Sequence, residues 1–268
     1  MRMRQGRDGS NTIEKLSMNG QIDGLQVIKI GGRKFIGITH SGLAGKLNED
    51  RYLIKDMQDN SVLIAVADGL GGGVCGDYAA EKIRKNFAGL KRVTKNNEQP
   101  ELDQLVRQID RAIYAEGQSI QDLAGTGSTV TGVLLRNGFA HWVHVGDSRL
   151  YFLRDEKLTQ VTEDQTLARF LLQEGEITPN QMPTHYSRHI MDQCVGCGYS
   201  EPETGNLKFN TGDLLVLSTD GLHKQIPETT LIYILNAATG LKTKAKSLVK
   251  AALDAGGMDN ITLVMVQG

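Results

Sequence analysis

The chain has 268 residues, a formal net charge of −1 and 40% hydrophobic residues, which is enough for one large domain with a substantial core. The balanced charge excludes a broadly basic surface for nucleic acid or for an anionic membrane. No apolar run reaches the roughly 18 residues that a membrane span needs, and three cysteines do not make a disulfide framework. We therefore expect a cytoplasmic, globular, monomeric protein without nucleic-acid or membrane partners.

Residues 1–33 are expected to form a flexible tail, because the segment is polar, dotted with glycine and carries several arginines. From Lys34 onward, strand-like and helix-like segments alternate without a linker rich in proline, glycine or serine. This pattern predicts a single folded domain over residues 34–268.

Periodic apolar residues predict three amphipathic helices. They cover residues 77–90 and 101–116 and a segment near the C-terminus that stops at Gly256-Gly257. Between the helices, the runs STVTGVLL, FAHWVHV, SRLYFL and DLLVLS predict strands, and Asn137-Gly138 is a hairpin signal between the first two. Consecutive hairpins imply an antiparallel sheet, with the helices towards either end of the sequence.

Five short acidic signatures lie next to apolar runs that read as buried strands. They are Asn48-Glu49-Asp50, Asp68-Gly69, Gly146-Asp147-Ser148, Asp220-Gly221 and Asp259-Asn260. A carboxylate at the end of a strand is rigidly supported and points into the loop layer, where several of them can converge. Because converging carboxylates repel each other unless a cation neutralises them, the pattern predicts divalent metal ions held by oxygen ligands.

The order of the motifs NED, VADGLGGG, GTGST, VGDSRLY, STDGL and DNIT resembles the metal-dependent type 2C serine/threonine protein phosphatases of bacteria, over residues 34–268. The resemblance implies an α+β fold in which two stacked antiparallel sheets are flanked by helices. It also implies a hydrolase that removes phosphate from phosphoserine and phosphothreonine in proteins by means of a metal-activated water. The setting that it implies is bacterial signalling, where the enzyme opposes a serine/threonine kinase.

The resemblance further implies a set of oxygen ligands for two Mn²⁺ or Mg²⁺ ions. In the family's arrangement Asp68 bridges both ions, the Gly69 carbonyl binds one of them, and Asp50 hydrogen-bonds the attacking water. The other implied ligands are Asp220 and Asp259 directly and Glu49 through water.

Bacterial relatives in the family often hold a third ion. Asp122 and Asp164 are candidates for it beside Asp220, against the alternative that Asp122 ends a helix and Asp164 caps the next one. Asp147 is expected to be mainly structural, because its turn links two core strands.

Two positions depart from the family pattern. Gly45 stands where the family usually has a phosphate-binding arginine, so either the affinity for phosphate is expected to be weaker or Lys46 or Arg33 is expected to contact the phosphate instead. A lysine supplies a point charge but not the planar bidentate contact of arginine. Leu70 stands where many eukaryotic members have a histidine assigned as the acid, so a metal-bound water is the expected acid.

The segment of residues 167–198 resembles the variable flap beside the active site of bacterial members, and we expect it to select the peptide. It contains four residues whose spacing permits a zinc site, namely His185, His189, Cys194 and Cys197. Ordinary flap residues with free thiols are the favoured interpretation of the same four residues.

Two alternative functions remain open. Residues 71–76 match the G-x-G-x-x-G pattern of dinucleotide-binding proteins, but Asp68 would place a negative charge beside the pyrophosphate, and hairpins follow instead of a parallel unit. The second alternative is a non-catalytic, phosphatase-like binding scaffold. The retained acidic residues disfavour a scaffold, whereas Gly45 favours one.

Overall fold

The computed structural model describes residues 12–18, 21–45, 47–70 and 75–268. Its strands are β1 (Thr12–Met18), β2 (Gln21–Ile30), β3 (Arg33–His40), β4 (Arg51–Asp56), β5 (Val62–Ala67), β6 (Gly69–Leu70), β7 (Gly127–Ser128), β8 (Val130–Arg136), β9 (Phe139–Val145), β10 (Arg149–Arg154), β11 (Lys157–Gln160), β12 (Glu203–Lys208), β13 (Leu214–Ser218) and β14 (Ile261–Gln267). Its helices are α1 (Gly76–Gly89), α2 (Glu98–Ser119), α3 (Leu167–Gln173), α4 (Asp220–His223), α5 (Glu228–Asn236) and α6 (Leu241–Asp254). None of the helices in these ranges is both long enough and apolar enough to cross a bilayer.

Within the described residues, the strands form two main antiparallel sheets and the short pair β6–β7. The first sheet has the order β1-β2-β3-β14-β13-β10-β11, and the second has the order β12-β9-β8-β5-β4. β9 and β10 follow each other in the chain but belong to different sheets. The turn that contains Asp147 therefore crosses from one sheet to the other.

The helices and sheets form four layers, and a cluster of buried apolar side chains lies between each pair of neighbouring layers. Phe35 of the first sheet and Ile64 of the second belong to the cluster between the sheets. Leu248 of α6 packs with residues of the first sheet, whereas Phe87 of α1 packs with residues of the second sheet. The order of layers is helix, sheet, sheet and helix, which confirms the predicted α+β sandwich.

The predicted hairpin between the runs STVTGVLL and FAHWVHV is confirmed. Arg136 of β8 pairs with Phe139 of β9, and the two residues between them, Asn137 and Gly138, have φ values of 50° and 77°. Two consecutive positive φ values are typical of a type I′ turn, whose twist matches that of the flanking strands.

The expectation of a flexible tail over residues 1–33 is wrong for its later part. β2 pairs with β3 from Gly24 to Ile30, and the Gly31-Gly32 turn between them has φ values of 57° and 83°. Leu25 is fully buried in the cluster beneath α6, because one face of β2 covers that core. The first 11 residues of the expected tail lie outside the described residues.

A buried histidine in β9 makes the stability of the fold depend on pH. His144 is 0% exposed, its Nε2 lies 3.1 Å from the Glu163 carbonyl oxygen, and its Nδ1 lies 2.9 Å from Thr131 Oγ1. Burial lowers the pKa of His144 to about 4. The unfolded chain therefore takes up a proton between pH 6.5 and 4 that the folded chain does not, so this residue costs stability as the pH falls through that window.

We expect His144 to make the fold roughly 2 kcal/mol less stable at pH 5 than at pH 7. Urea denaturation of the wild type and of His144→Gln at both pH values measures this contribution, because glutamine is a hydrogen-bonding side chain of similar size that does not titrate. Buried aspartates with raised pKa values act in the opposite direction, but equally in both proteins. Identical changes of stability with pH in the two proteins would contradict the prediction.

Candidate metal centre

Four acidic side chains reach the same end of the sandwich because the strands that carry them begin or end there. Asp50 immediately precedes β4, and Asp68 immediately follows β5, whose neighbouring ends are paired in the second sheet. Asp220 follows β13 by one residue, and Asp259 precedes β14 by one residue in the first sheet. The predicted ligands therefore come from both sheets and meet at the seam between them.

Asp50 is held in this cluster by a hydroxyl group. It is 2% exposed, and its Oδ2 accepts a hydrogen bond of 2.8 Å from Thr219 Oγ1. Burial raises the pKa of Asp50 to about 7, against the hydroxyl hydrogen bonds, and the charges of Asp220 and Asp259 raise it further. Its Oδ1 is buried and has no hydrogen-bond partner among the described residues.

The backbone of Asp68 is fixed on three sides. Its carbonyl oxygen accepts hydrogen bonds from the Thr129 amide (2.9 Å) and from Ser128 Oγ (2.8 Å), and its own amide donates to Thr129 Oγ1 (3.1 Å). The pKa of the Asp68 carboxyl is raised well above its usual value, first by burial and then by the charges of Asp50, Asp220 and Asp147. This carboxylate therefore lies among the other acidic groups of the cluster.

Glu49 and Gly69 converge on the first residue of α1. A Cβ atom on Gly76 would lie 2.5 Å from Glu49 Oε1 and 2.9 Å from the Gly69 carbonyl oxygen. The Glu49 amide donates a hydrogen bond of 2.8 Å to Asn260 Oδ1, so the loop before β4 is tied to the start of β14. Glycine at position 76 leaves open the space that these two predicted ligand oxygens face.

The residues of the centre fit hard divalent cations. Its donors are carboxylate and carbonyl oxygens, which Mg²⁺ and Mn²⁺ prefer, and its buried carboxylates need a cation to offset their repulsion. Among the described residues, no three histidine, cysteine, aspartate or glutamate side chains are arranged around a single point so as to hold one ion.

The contact between Asp147 and Lys224 was not recognised from the sequence. Asp147 is 4% exposed, and its Oδ2 lies 2.9 Å from Lys224 Nζ. The same ammonium also donates to Asp220 Oδ2. The expectation that Asp147 is mainly structural is thus incomplete, because its carboxylate lies beside a predicted ligand. Asp147 was among the five acidic signatures, but the sequence carries no signal for its contact with a lysine 77 positions away.

The two candidates for a third ion, Asp122 and Asp164, make their contacts outside the acidic cluster. Asp122 is exposed on a short 3₁₀ turn, and its carbonyl oxygen accepts a hydrogen bond from Cys75 Sγ at 3.0 Å. Asp164 binds Arg149 through both carboxylate oxygens, at 2.8 and 2.6 Å. Burial opposes ionisation of Asp164, but Arg149 outweighs it and holds the pKa of this carboxyl below its usual value. A third ion at these residues stays a prediction that none of the described contacts supports.

The expectation that Arg33 contacts the phosphate is wrong. Arg33 begins β3, whereas the other end of β3, at His40, pairs with Ile261 beside the centre. At ~3.3 Å per residue, the strand puts roughly 23 Å between these ends. The guanidinium of Arg33 lies instead 5.4 Å from the centre of the Phe209 ring. Lys46, the other candidate, lies outside the described residues.

The flap does not present free thiols. Cys194 and Cys197 form a disulfide, so the favoured interpretation of free thiols is wrong, and the bonded sulfurs are not available to zinc as thiolates. Asp110 of α2 fixes the same loop by accepting hydrogen bonds from the amides of Gly196 (2.7 Å), Gly198 (3.0 Å) and Ser200 (3.2 Å). The segment is therefore anchored to the second sheet's outer helix.

Comparison with known proteins agrees with this arrangement. Residues 37–254 match the family model described as protein phosphatase 2C. The serine/threonine phosphatase stp of Listeria monocytogenes is 33% identical over 235 residues, which cover 85% of this chain and 93% of that protein. The serine/threonine protein phosphatase PstP of Mycobacterium tuberculosis is 33% identical over 227 residues, which cover 81% of this chain and 43% of that protein.

Two solved structures have the same fold. The serine/threonine phosphatase of S. agalactiae superposes with a TM-score of 0.80 at 27% identity, over 88% of this chain and 99% of that one. The catalytic domain of PstP, solved in complex with 2 manganese ions, superposes with a TM-score of 0.76 at 31% identity, over 88% of this chain and 97% of that one. Because the family model matches most of the chain and the motifs lie at the seam of the same sandwich, the chain belongs to the protein phosphatase 2C family.

Proposed function

We propose that this protein hydrolyses phosphoserine and phosphothreonine in other proteins, with two Mn²⁺ or Mg²⁺ ions as cofactors. The observation that carries the proposal is the convergence of Asp50, Asp68 and Asp220, from two different sheets, on one buried cluster. Membership of the protein phosphatase 2C family supports it, as does the binding of 2 manganese ions by the related PstP catalytic domain.

The ligands of the ions are assigned from this geometry and from the family resemblance. Asp68 would be the residue shared by the two ions, since its carboxylate interacts with acidic residues from both sheets. The Gly69 carbonyl and Glu49 would bind the ion on the side of the cluster next to α1. Asp220 and Asp259 would bind the ion on the side next to β14. When bound, two such ions lower the pKa of a water molecule and offset the charge that builds up on the phosphoryl group.

Asp50 orients the attacking water. Thr219 holds Oδ2 of Asp50, which leaves the buried Oδ1 to accept a hydrogen bond from that water. Direct attack on phosphorus is favoured over a covalent phosphoenzyme. Among the described residues Cys75 is the free cysteine, and its Sγ contacts a backbone carbonyl and not a base that could activate it.

We extend the proposal to the partners and to phosphate binding, and family membership and the chain's own charges support it. The substrates are proteins phosphorylated by a serine/threonine kinase in bacterial signalling, and the protein acts as a cytoplasmic monomer. Lys46, next to Gly45, supplies the positive charge for the phosphate that the family's arginine usually provides. The flap, which follows Asp164, contributes the specificity for the peptide.

A phosphothreonine peptide assayed with and without Mn²⁺ tests the function. We expect excess chelator to lower turnover by about 10³-fold, because the ions contribute several kcal/mol of transition-state stabilisation. Adding back Mn²⁺ restores turnover, which controls for loss of the fold. Activity that resists the chelator, or a trapped phosphoryl-enzyme, would contradict the mechanism. A scaffold would bind Mn²⁺ and the phosphopeptide without turnover.

A further inference from the structure

Lys224 places a positive charge inside the acidic cluster. It follows the last residue of α4, and Asp220 is the first residue of the same short helix, so one helical turn brings the two side chains together. The second partner, Asp147, comes from the turn that crosses between the sheets and lies 2.9 Å from the ammonium. The lysine therefore joins two carboxylates from separate parts of the fold.

The acidic groups on this side of the centre are neutralised by the chain itself. A cavity of about 490 Å³ opens here beneath the flap, and Asp147, Asp164, Arg149 and Lys224 are among its lining residues. Each of the two aspartates is paired with one of the two cations, Asp164 with Arg149 and Asp147 with Lys224. The charges of Asp147 and Asp164 are balanced in this way, whereas Asp220, which shares the Lys224 ammonium with Asp147, is the carboxylate on this side that is left for the ions.

The other side of the centre has a different charge pattern. Among the lysines and arginines that the structure describes, none forms a salt bridge with Glu49, Asp50 or Asp68. Asp50 Oδ1 also has no hydrogen-bond partner within the described part of the chain. These carboxylates are the ones that divalent ions from solution have to neutralise.

We propose that Lys224 is a fixed cation that excludes a divalent ion from the space between Asp147 and Asp220, so that the centre holds two ions and not a third. The inference rests on the two-ion centre proposed above. An ammonium group that hydrogen-bonds the facing oxygens of both aspartates occupies the position that such an ion would take, and the two like charges repel each other.

Counting bound Mn²⁺ tests this inference without an activity assay. Equilibrium dialysis at saturating Mn²⁺, followed by elemental analysis, is expected to give two ions per chain for the wild type. Lys224→Met removes the charge but keeps an unbranched side chain, and we expect three ions per chain. Lys224→Arg keeps the charge, and we expect two. Circular dichroism of each variant controls for folding.

Asp147 provides the matched control. Asp147→Asn in the wild-type background is expected to leave two ions, because Asp147 binds Lys224 there and not a metal. The same change added to Lys224→Met is expected to remove the third ion.

The outcomes separate this inference from the proposed function. A wild type that binds no Mn²⁺ would overturn the two-ion centre itself. Three ions in the wild type, or two in a folded Lys224→Met protein, would overturn the role of Lys224 alone. Should Lys224→Met fail to fold, loss of an ion in the single variant Asp147→Asn would overturn that role as well.

Discussion

Asp68→Asn is expected to abolish phosphatase turnover and, at the same time, to raise the unfolding temperature of the metal-free protein. The amide cannot provide a negative charge to two cations, so turnover should fall by about 10³-fold or more, equivalent to about 4 kcal/mol. The raised pKa of Asp68 means that its ionised form costs stability, and this cost is fully present once the pH has risen through the folded-state pKa. A neutral isostere removes that cost, so the metal-free variant is expected to unfold at a higher temperature than the metal-free wild type at pH 8.

Asp213→Asn is the matched control for this prediction. Asp213 is 4% exposed, like Asp147 beside the centre, but it lies at the far end of β13 and binds Arg154 through both oxygens at 2.8 and 2.7 Å. Arg154 lowers the pKa of this carboxyl, so its ionised form stabilises the fold. We expect Asp213→Asn to lower the unfolding temperature and to keep turnover. Thermal melts with chelator and peptide assays with Mn²⁺ measure both effects, and a destabilised Asp68→Asn protein would refute the assigned electrostatics.

Gly76→Ala should weaken Mn²⁺ binding about 10- to 100-fold, which is the scale of effects from residues that support metal ligands. The added methyl group would lie 2.5 Å from Glu49 Oε1 and 2.9 Å from the Gly69 carbonyl oxygen, so both oxygens would have to move away from the ion. Isothermal titration calorimetry with Mn²⁺ measures the affinity. Turnover at subsaturating Mn²⁺ should fall in parallel and recover as Mn²⁺ is raised.

Gly89→Ala tests whether alanine in the same helix is harmful in itself. Gly89 is the last residue of α1, and a Cβ atom there would meet nothing within 4 Å. We expect this variant to bind Mn²⁺ as the wild type does and to be up to about 1 kcal/mol more stable, since alanine favours the helix. Equal Mn²⁺ affinities of Gly76→Ala and Gly89→Ala would rule out a role in metal binding for the two oxygens that face Gly76.

Local patterns predicted the fold well, because a hairpin and a strand depend on neighbours in the sequence. The turn at Asn137-Gly138 and the strands beside it were predicted for this reason. The acidic residues Asp68 and Asp220 were predicted to converge because each follows an apolar strand. β2 was missed although the Gly31-Gly32 turn and the alternation around Leu25 were visible, since the polar start of the chain suggested a tail.

Contacts between distant parts of the chain could not be predicted in this way. The pairing of Lys224 with Asp147 joins residues 77 positions apart, and it depends on how α4 packs against the turn between the sheets. The position of Arg33 was misjudged because a residue's place in the sequence does not say at which end of its strand the site lies. The space at Gly76 depends on the loop that carries Glu49, which reaches α1 only in the folded protein.

The division of the acidic residues between two sheets has a consequence for the degradation of the protein in the cell. Ions that bind only where both sheets meet bind the folded protein and not the unfolded chain. By mass action, each such ion adds about 2.7 kcal/mol to the free energy of unfolding when its free concentration is a hundred times its dissociation constant. A shortage of manganese would then do more than abolish catalysis. It would also lower the stability of the folded protein, and the larger unfolded fraction would be degraded by proteases. The supply of metal would then affect the amount of the protein as well as its catalysis.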